Sequence, residues 1–165
     1  MKPSVYIETS VISALVDERS DPSTQMQRLL TQRWWERQST RFELFYGAAV
    51  RVELERAPFP GQKKALAVLE KMEFLPFTDE INGVASVYQE HLLMPQGTYG
   101  DAVHLATACV YEMDYLLTWN CRHLANTNKI QHIQAINLRL GLVNPVLLTP
   151  EMLVAPEEKY HEEEG

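Results

Sequence analysis

Four side chains with oxygen donors are candidates for holding a metal ion: Glu8, Glu53, Asp101 and Asn120. Carboxylate and amide oxygens are the ligands that Mg²⁺ and Mn²⁺ prefer in proteins. Taken singly, each residue also has an ordinary structural explanation. Glu8 and Asp101 suit the first turn of a helix, where the helix dipole favours an acid, whereas Glu53 suits a charged surface and Asn120 a turn. The hypothesis of a metal site therefore depends on whether the fold brings the four together.

The elements around these residues predict an α/β fold. Short apolar runs predict buried strands, and each is followed by a segment with helical patterning. Thr9 or Ser10 is the expected N-cap of the first helix. The alternation predicts a central parallel sheet with helices on both faces. The predicted strands cover residues 5–7, 42–48, 73–77, 115–118 and 146–148, and predicted helices begin near residues 10, 23, 50, 62, 78, 100 and 129.

In such sheets the functional site lies beyond the carboxyl ends of the strands. Glu8 directly follows the first predicted strand, Asn120 lies just after the fourth, and Asp101 opens an apolar helix. We therefore expect these three residues to gather at one edge of the sheet, with Glu53 pointing in from the side. Without metal the clustered carboxylates should repel one another, so that the pKa of one of them lies above its ordinary value.

One domain accounts for most of the chain. The 165 residues, 45% of them hydrophobic, suffice for a single core. We predict a domain over residues 1–156, with a loop at 94–97. Residues 157–165 are predicted to be an acidic, disordered tail, since positions 157–164 hold five Glu and one Lys and so carry −4 of the formal net charge of −7.

Composition and patterning exclude several protein classes. No run of about 18 apolar residues predicts a membrane span, and the N-terminal residues do not match a secretory signal. Cys109 and Cys121 lack metal-type spacing, which favours a reducing cytoplasm over a disulfide scaffold, with Cys109 as a small buried hydrophobe. The net charge argues against a large basic nucleic-acid surface. Six arginines between Arg28 and Arg56 indicate either a local basic surface or a solvated helix face.

Four segments, in order along nearly the whole chain, carry a resemblance to PIN-domain proteins, in particular the VapC-like toxins of prokaryotic toxin–antitoxin pairs. GDAVHLA at 100–106 is similar to the family's D-A-x-H-L-A helix and is the most specific match. LLTWN at 116–120 is similar to the fourth motif, and the continuation TWNC resembles a subgroup in which this sequence replaces the acidic version. The other two segments are VYIETS at 5–10 and VRVEL at 50–54.

The resemblance implies a three-layer α/β fold and a ribonuclease activity. Glu8, Glu53 and Asp101 would hold Mg²⁺ or Mn²⁺, with Asn120 as a neutral ligand or water-positioning residue, and the metal would activate water against an RNA phosphodiester. An antitoxin protein and a homodimer are further implied partners. Glu8 and Asn120 both stand where the family usually has Asp. The three remaining carboxylates favour a single bound metal, and the two replacements motivate an alternative, a non-catalytic PIN domain that acts as a protein-interaction module.

Several other residues allow both a structural and a functional interpretation. His104 lies three residues after Asp101, as a hydrogen-bonded core histidine or as a residue that supports the metal site. The hydroxyls of Thr9, Ser10 and Thr118 are either caps or partners of the water and of Glu8. Adjacent Trp34 and Trp35 could stack on bases, but at least one should face the core or a partner. A nucleotide-binding domain ranks lower, because the chain lacks the glycine motifs of such domains.

Overall fold

The computed structural model describes residues 1–91 and 99–155. Its centre is a five-stranded sheet in the order β3-β2-β1-β4-β5, and every neighbouring pair is parallel. The central strand, β1, pairs through Val5 with Leu44 on one side and with Tyr115 on the other. The strands are β1 Ser4–Ile7, β2 Glu43–Gly47, β3 Glu73–Leu75, β4 Tyr115–Leu117 and β5 Val146–Leu148.

Helices cover the sheet on both faces. The strand order runs outward from β1 to β3 and then back across to β4 and β5, so right-handed crossovers put α1 to α4 on one face and α5 to α7 on the other. This three-layer α/β arrangement confirms the predicted fold class. The helices are α1 Thr9–Val16, α2 Pro22–Arg37, α3 Ala48–Glu55, α4 Gln62–Leu69, α5 Asp79–Glu90, α6 Tyr99–Val110 and α7 Thr127–Leu140, with 3-10 turns at Ser39–Arg41 and Pro150–Met152.

The core lies around β1, β4 and α6. Val5, Tyr6 and Ile7 are fully buried, as are Leu116 and Leu117 on the neighbouring strand. Strands buried on both faces read as unbroken apolar runs, which is why the sequence pattern located them. The middle of α6 is buried on all sides from residue 102 to residue 109, so this helix positions its side chains rigidly against the sheet.

The order of the strands also marks a crevice. The connections from β1 and β4 leave the sheet toward opposite faces, so the carboxyl ends of these two adjacent strands form the switch point where ligands bind in open α/β sheets. Glu8 follows β1, and Thr118 follows β4, at this point.

Several element boundaries differ from the sequence prediction. The N-cap of α1 is Glu8 rather than Thr9 or Ser10, because the long Glu8 side chain folds back to accept a hydrogen bond from the Ser10 backbone N–H. The third strand ends at Leu75, before Pro76, since proline has no N–H for a sheet ladder. The predicted loop at 94–97 and the predicted tail at 157–165 lie outside the described residues. Within the described ranges no helix has the length and apolarity needed to cross a membrane.

Candidate metal-binding active site

Glu8 is held at the carboxyl end of β1 by a set of donors to one of its two carboxylate oxygens. Its Oε2 accepts hydrogen bonds from the Ser10 backbone N–H at 3.0 Å, from the Thr118 hydroxyl at 2.8 Å and from the Ser10 hydroxyl. The residue is only 5% exposed. These contacts come from both sides of the switch point, so Glu8 is fixed in orientation and its other oxygen, Oε1, remains available toward α3 and α6.

Glu53 reaches the same place from α3. Its Oε1 lies 2.9 Å from His104 Nε2, and its side chain is 26% exposed. The approach depends on Gly100, because a Cβ at that position would lie 2.7 Å from Glu53 Oε1. A glycine in the first turn of α6 therefore makes room for the carboxylate.

His104 joins the two carboxylates. The fully buried ring places Nε2 3.7 Å from Glu8 Oε1, and its Nδ1 lies 2.7 Å from the Tyr6 hydroxyl. The ligand-capable atoms of Glu8, Glu53 and His104 all lie within 4.8 Å of one another. A donor set of two carboxylates and one imidazole within this distance suits a divalent cation.

The imidazole reverses the expected electrostatics of the cluster. Burial raises the pKa of the Glu53 carboxyl, but the hydrogen bond to His104 and the charge of that ring outweigh it, so the pKa lies below its usual range. Burial likewise lowers the pKa of His104, but the Glu53 hydrogen bond and the charges of Glu8, Glu53 and Asp101 hold it above its ordinary value. The expectation of a carboxylate pKa raised by repulsion is therefore wrong at Glu53, because His104 intervenes.

Asp101 is placed beside the cluster. It lies in the first turn of α6 and lines, together with Glu53, a cleft of about 780 Å³. Its negative charge contributes to the raised pKa of His104. Within residues 1–91 and 99–155, the compact group of metal-ligating side chains contains Glu8, Glu53 and His104 but not Asp101.

Asn120 lies in the turn after β4, and its polar atoms form hydrogen bonds within that turn. Its Oδ1 accepts the backbone N–H of His123 at 3.1 Å, and its own N–H donates to the Thr118 hydroxyl at 2.9 Å. The backbone carbonyl of Asn120 accepts from Leu124 and Ala125. The structural alternative for Asn120, a turn cap, thus describes its contacts, and its role as a metal ligand stays a prediction.

The cleft beside Glu53 and Asp101 contains one arginine of the group noted in the sequence and two aromatic residues that no sequence pattern singled out. Arg56 brings a positive charge, and Phe77 and Tyr99 bring aromatic rings that are 47% and 40% exposed. The sequence signals for the role of His104 were its spacing from Asp101 and its place in the GDAVHLA segment at 100–106. Arg56 belongs to the arginine-rich stretch that allowed a local basic surface, whereas no signal pointed to the two rings, because they come from separate segments of the chain.

The tryptophan pair does not form an exposed stacking surface. Trp34 is 3% exposed, and its indole N–H donates to the carbonyl of Leu153 at 3.0 Å. Trp35 is half-buried and meets Trp34 edge to face. The sequence expectation that at least one of the two faces the core is confirmed.

A family model for the PIN domain matches residues 5–128. Three solved structures share the fold. The first is VapBC2 from Rickettsia felis bound to a promoter DNA fragment, with 12% identity and a TM-score of 0.51, over 88% of this chain and 97% of that one. The second is a toxin–antitoxin complex from Klebsiella pneumoniae, with 15% identity and a TM-score of 0.52, over 89% of this chain and 98% of that one. The third is the sarcin-ricin loop cleaving toxin VapC20 from Mycobacterium tuberculosis, with 15% identity and a TM-score of 0.54, over 73% of this chain and 92% of that one.

A search of curated protein sequences gives no significant match. The family match nevertheless covers well over half of the chain, and the parallel sheet and the carboxylates at its switch point agree with it. The chain therefore belongs to the PIN domain family.

Proposed function

We propose that this protein is a divalent-metal-dependent endoribonuclease that hydrolyses RNA phosphodiester bonds, as the toxin of a type II toxin–antitoxin pair. The observation that carries the proposal is the convergence of the Glu8 and Glu53 carboxylates beside His104 at the switch point of a PIN fold. Two carboxylates beside one imidazole leave a net negative charge even when the ring is protonated, and a buried or half-buried charge costs free energy unless a cation compensates it. The donor set fits Mg²⁺ or Mn²⁺, and we assign Glu8, Glu53 and Asp101 as the acidic residues around that ion.

The protein's own residues have separable tasks in this proposal. Glu8 presents Oε1, because Ser10 and Thr118 hold its other oxygen in place. Glu53 presents its carboxylate from the wall of the cleft that Asp101 also lines. Arg56 in the same cleft offers a positive charge to a phosphate of the substrate. A bound metal supplies an activated water and neutralises the charge that builds on the phosphodiester. Asn120 would contribute by positioning that water or by its amide oxygen.

Partners and location follow from the same proposal. The Rickettsia felis and Klebsiella pneumoniae neighbours are toxin–antitoxin complexes, so we propose a dedicated antitoxin protein that keeps this chain inactive in the cytoplasm. A homodimer is part of the proposal. The subgroup assignment based on the TWNC sequence at 118–121 stays a prediction. An upstream reading frame whose product binds this chain would support the toxin assignment.

Cleavage of RNA is the direct test. Purified protein is incubated with structured RNAs, including a sarcin-ricin loop oligonucleotide, because the VapC20 neighbour is a toxin that cleaves this loop. Reactions contain Mg²⁺, Mn²⁺ or a chelator. Metal-dependent products that disappear with Glu53→Gln and persist with Glu55→Gln, an exposed neighbour on the same helix, support the proposal. No cleavage with either metal across all RNAs contradicts it.

A second candidate function is a non-catalytic interaction module. The observation that favours it is the engagement of Asn120 in its own turn, together with exposed apolar side chains such as Val52 and Phe77 on the cleft. Contiguous apolar surface of this kind occurs where proteins bind partners. Tight binding of a partner by a chain that neither binds metal nor cleaves RNA would establish this function instead.

A further inference from the structure

We propose that His104 Nε2 is itself a metal ligand, so that the site is a mixed carboxylate–imidazole centre selective for Mn²⁺ over Mg²⁺. The inference rests on the proposed metal-dependent function and deepens it by naming the ligand set and the class of metal. Its three ligand atoms are Glu8 Oε1, Glu53 Oε1 and His104 Nε2.

The first step is the spacing of these atoms. Nε2 lies 2.9 Å from the Glu53 oxygen and 3.7 Å from the Glu8 oxygen, and all three groups lie within 4.8 Å. Ligands at about 2.0–2.2 Å from one ion are separated by roughly 3 Å when adjacent and roughly 4 Å when opposite. The two nitrogen–oxygen separations fall in this range, and the two carboxylates lie within 4.8 Å of each other, so the three groups are close enough to share one ion.

The second step is the support of the ring on its far side. A histidine that binds metal through Nε2 carries its proton on Nδ1 and donates it to an outer partner that fixes the ring. In this protein the Tyr6 hydroxyl oxygen lies 2.7 Å from Nδ1 and can accept that proton. Tyr6 and His104 are both fully buried, so the ring is held with Nε2 directed at the carboxylates.

The third step is access and charge. Glu53 is 26% exposed and lines the cleft of about 780 Å³, so an ion enters past this residue to the buried ring. Two carboxylates carry −2 against +2 on the ion, and a neutral imidazole completes a balanced first set of ligands. Imidazole is a better ligand for Mn²⁺ and later transition ions than for Mg²⁺, which favours oxygen donors and water.

The test is pulsed electron paramagnetic resonance of the Mn²⁺-loaded full chain, which detects coupling from a directly bound ¹⁴N nucleus. We expect a histidine nitrogen signal that changes to the ¹⁵N pattern after ¹⁵N-histidine labelling. His104→Gln should abolish the signal and weaken Mn²⁺ binding by about 10–100-fold in calorimetry, with a change of less than about threefold for Mg²⁺. His132→Gln, an exposed site on α7, is the matched control and should alter neither.

Tyr6→Phe is the second variant. It should retain the nitrogen signal and weaken Mn²⁺ binding by roughly tenfold, because the ring loses its outer partner. The wild-type spectrum decides the question even if both variants fail to fold. Bound Mn²⁺ without nitrogen coupling overturns the inference and leaves the ribonuclease proposal standing. Nitrogen coupling in a protein that cleaves no RNA supports the inference and removes the ribonuclease proposal, and a wild type that binds no divalent metal overturns both.

Discussion

Two polar clusters are buried against the same helix, α6, and they differ in charge. Around His104 the partners are Tyr6 and two carboxylates. Around Cys109, five residues further along, the partners are Tyr88 and Asn137, and every group is neutral in its ordinary state. Tyr6 and Tyr88 are both fully buried. The same helix therefore carries a neutral cluster and an acidic one at similar depth.

The side chains of the neutral cluster satisfy one another's hydrogen bonds. Tyr88 donates to Asn137 Oδ1 at 2.6 Å, and Asn137 Nδ2 donates to Asn144 Oδ1 at 2.8 Å and to Cys109 Sγ at 3.4 Å. Burial raises the pKa of the Cys109 thiol to about 11, so the sulfur stays protonated and unreactive. Because its members come from α5, α6 and the segment from α7 onward, this cluster joins three elements of one face.

The acidic cluster has the opposite character. Its carboxylates are costly to bury, and one of them faces a cleft instead of being sealed. Stability alone would favour replacing such a group with an apolar one. The contrast agrees with the proposal that the acidic cluster binds a ligand, whereas the neutral cluster has hydrogen bonds that stabilise the fold. Substitutions in the two places should therefore affect different measurements.

The largest expected effect is on RNA cleavage by Glu53→Gln. The change keeps the size and a hydrogen-bond acceptor for His104 but removes the charge that holds the cation, so we expect cleavage to fall by about 100-fold or more. Thermal unfolding of the metal-free protein should shift by only a few degrees. Glu55→Gln, half-exposed and paired with Arg51, is the control and should leave the rate unchanged. Full activity of Glu53→Gln would end the assignment of the acidic cluster as the catalytic site.

Asn137→Ala should produce the reverse pattern. It removes the strong acceptor of the buried Tyr88 hydroxyl and leaves only the weak acceptor Cys109 Sγ at 3.5 Å, which costs about 2–3 kcal/mol in the free energy of unfolding. Urea unfolding measures this loss, with Asn128→Ala on the exposed side of α7 as the control. Cleavage per folded molecule should stay at the wild-type rate. A loss of activity without a loss of stability would show that the two clusters are not separable.

Gly100→Ala should weaken metal binding with little effect on the fold. The added Cβ would lie 2.7 Å from Glu53 Oε1 and must displace that carboxylate, so we expect about a tenfold loss of Mn²⁺ affinity. Gly83→Ala is a matched control, because it also lies in a helix and its Cβ would meet nothing within 4 Å. That control should leave affinity unchanged and stabilise α5 by about 0.5–1 kcal/mol. Equal metal binding by both variants would contradict the assigned position of Glu53.

The sequence predicted the sheet well because its central strands, β1 and β4, are short and mostly buried apolar runs, and the strands beside them also carry short apolar runs. Boundaries were less accurate where a side chain decides them, as at Glu8, whose length lets it cap its own helix. The convergence of Glu8 and Glu53 followed from their places after strands of a parallel sheet. For His104 the sequence left two roles open, a hydrogen-bonded core residue or a support of the metal site. Its partners Tyr6 and Glu53 did not follow, because they are distant in sequence and meet it only after packing.

Asn120 marks the point where the sequence offered two explanations and the contacts favour the structural one. An amide oxygen can bind a metal or cap a turn, and its chemistry is the same in both cases. In this chain Oδ1 accepts from His123. Oδ1 has a second lone pair that a cation could use, whereas the other terminal atom of the side chain, Nδ2, is a donor and cannot bind a cation.

Asn120→Asp is the substitution with the smallest expected effect, and it tests that second atom. One oxygen of the new carboxylate can keep the hydrogen bond from the His123 N–H, which is 3.1 Å long with asparagine. The other oxygen replaces Nδ2, and the side chain gains a negative charge. The change is nearly isosteric, so its effect is electrostatic. We expect Mn²⁺ affinity to rise by about 3–10-fold, since exposed charges within a Debye length of about 8–10 Å still interact. Asp101→Asn should act oppositely, because it removes a carboxylate from the cleft.

Asn126→Asp provides a closely matched control for this experiment. Asn126 is the N-cap of α7, and its Oδ1, like that of Asn120, accepts a backbone N–H, here that of Asn128 at 3.0 Å. The same chemical change is therefore made six residues further along the chain. Calorimetry of Mn²⁺ binding should show tighter binding for Asn120→Asp and no change for Asn126→Asp. If both variants bind equally more tightly, the gain reflects net charge alone, and the turn after β4 has no particular place at the metal site. If Asn120→Asp alone binds more tightly, position 120 lies close enough to the metal for its side chain to act on the ion, and in this chain that side chain carries no charge.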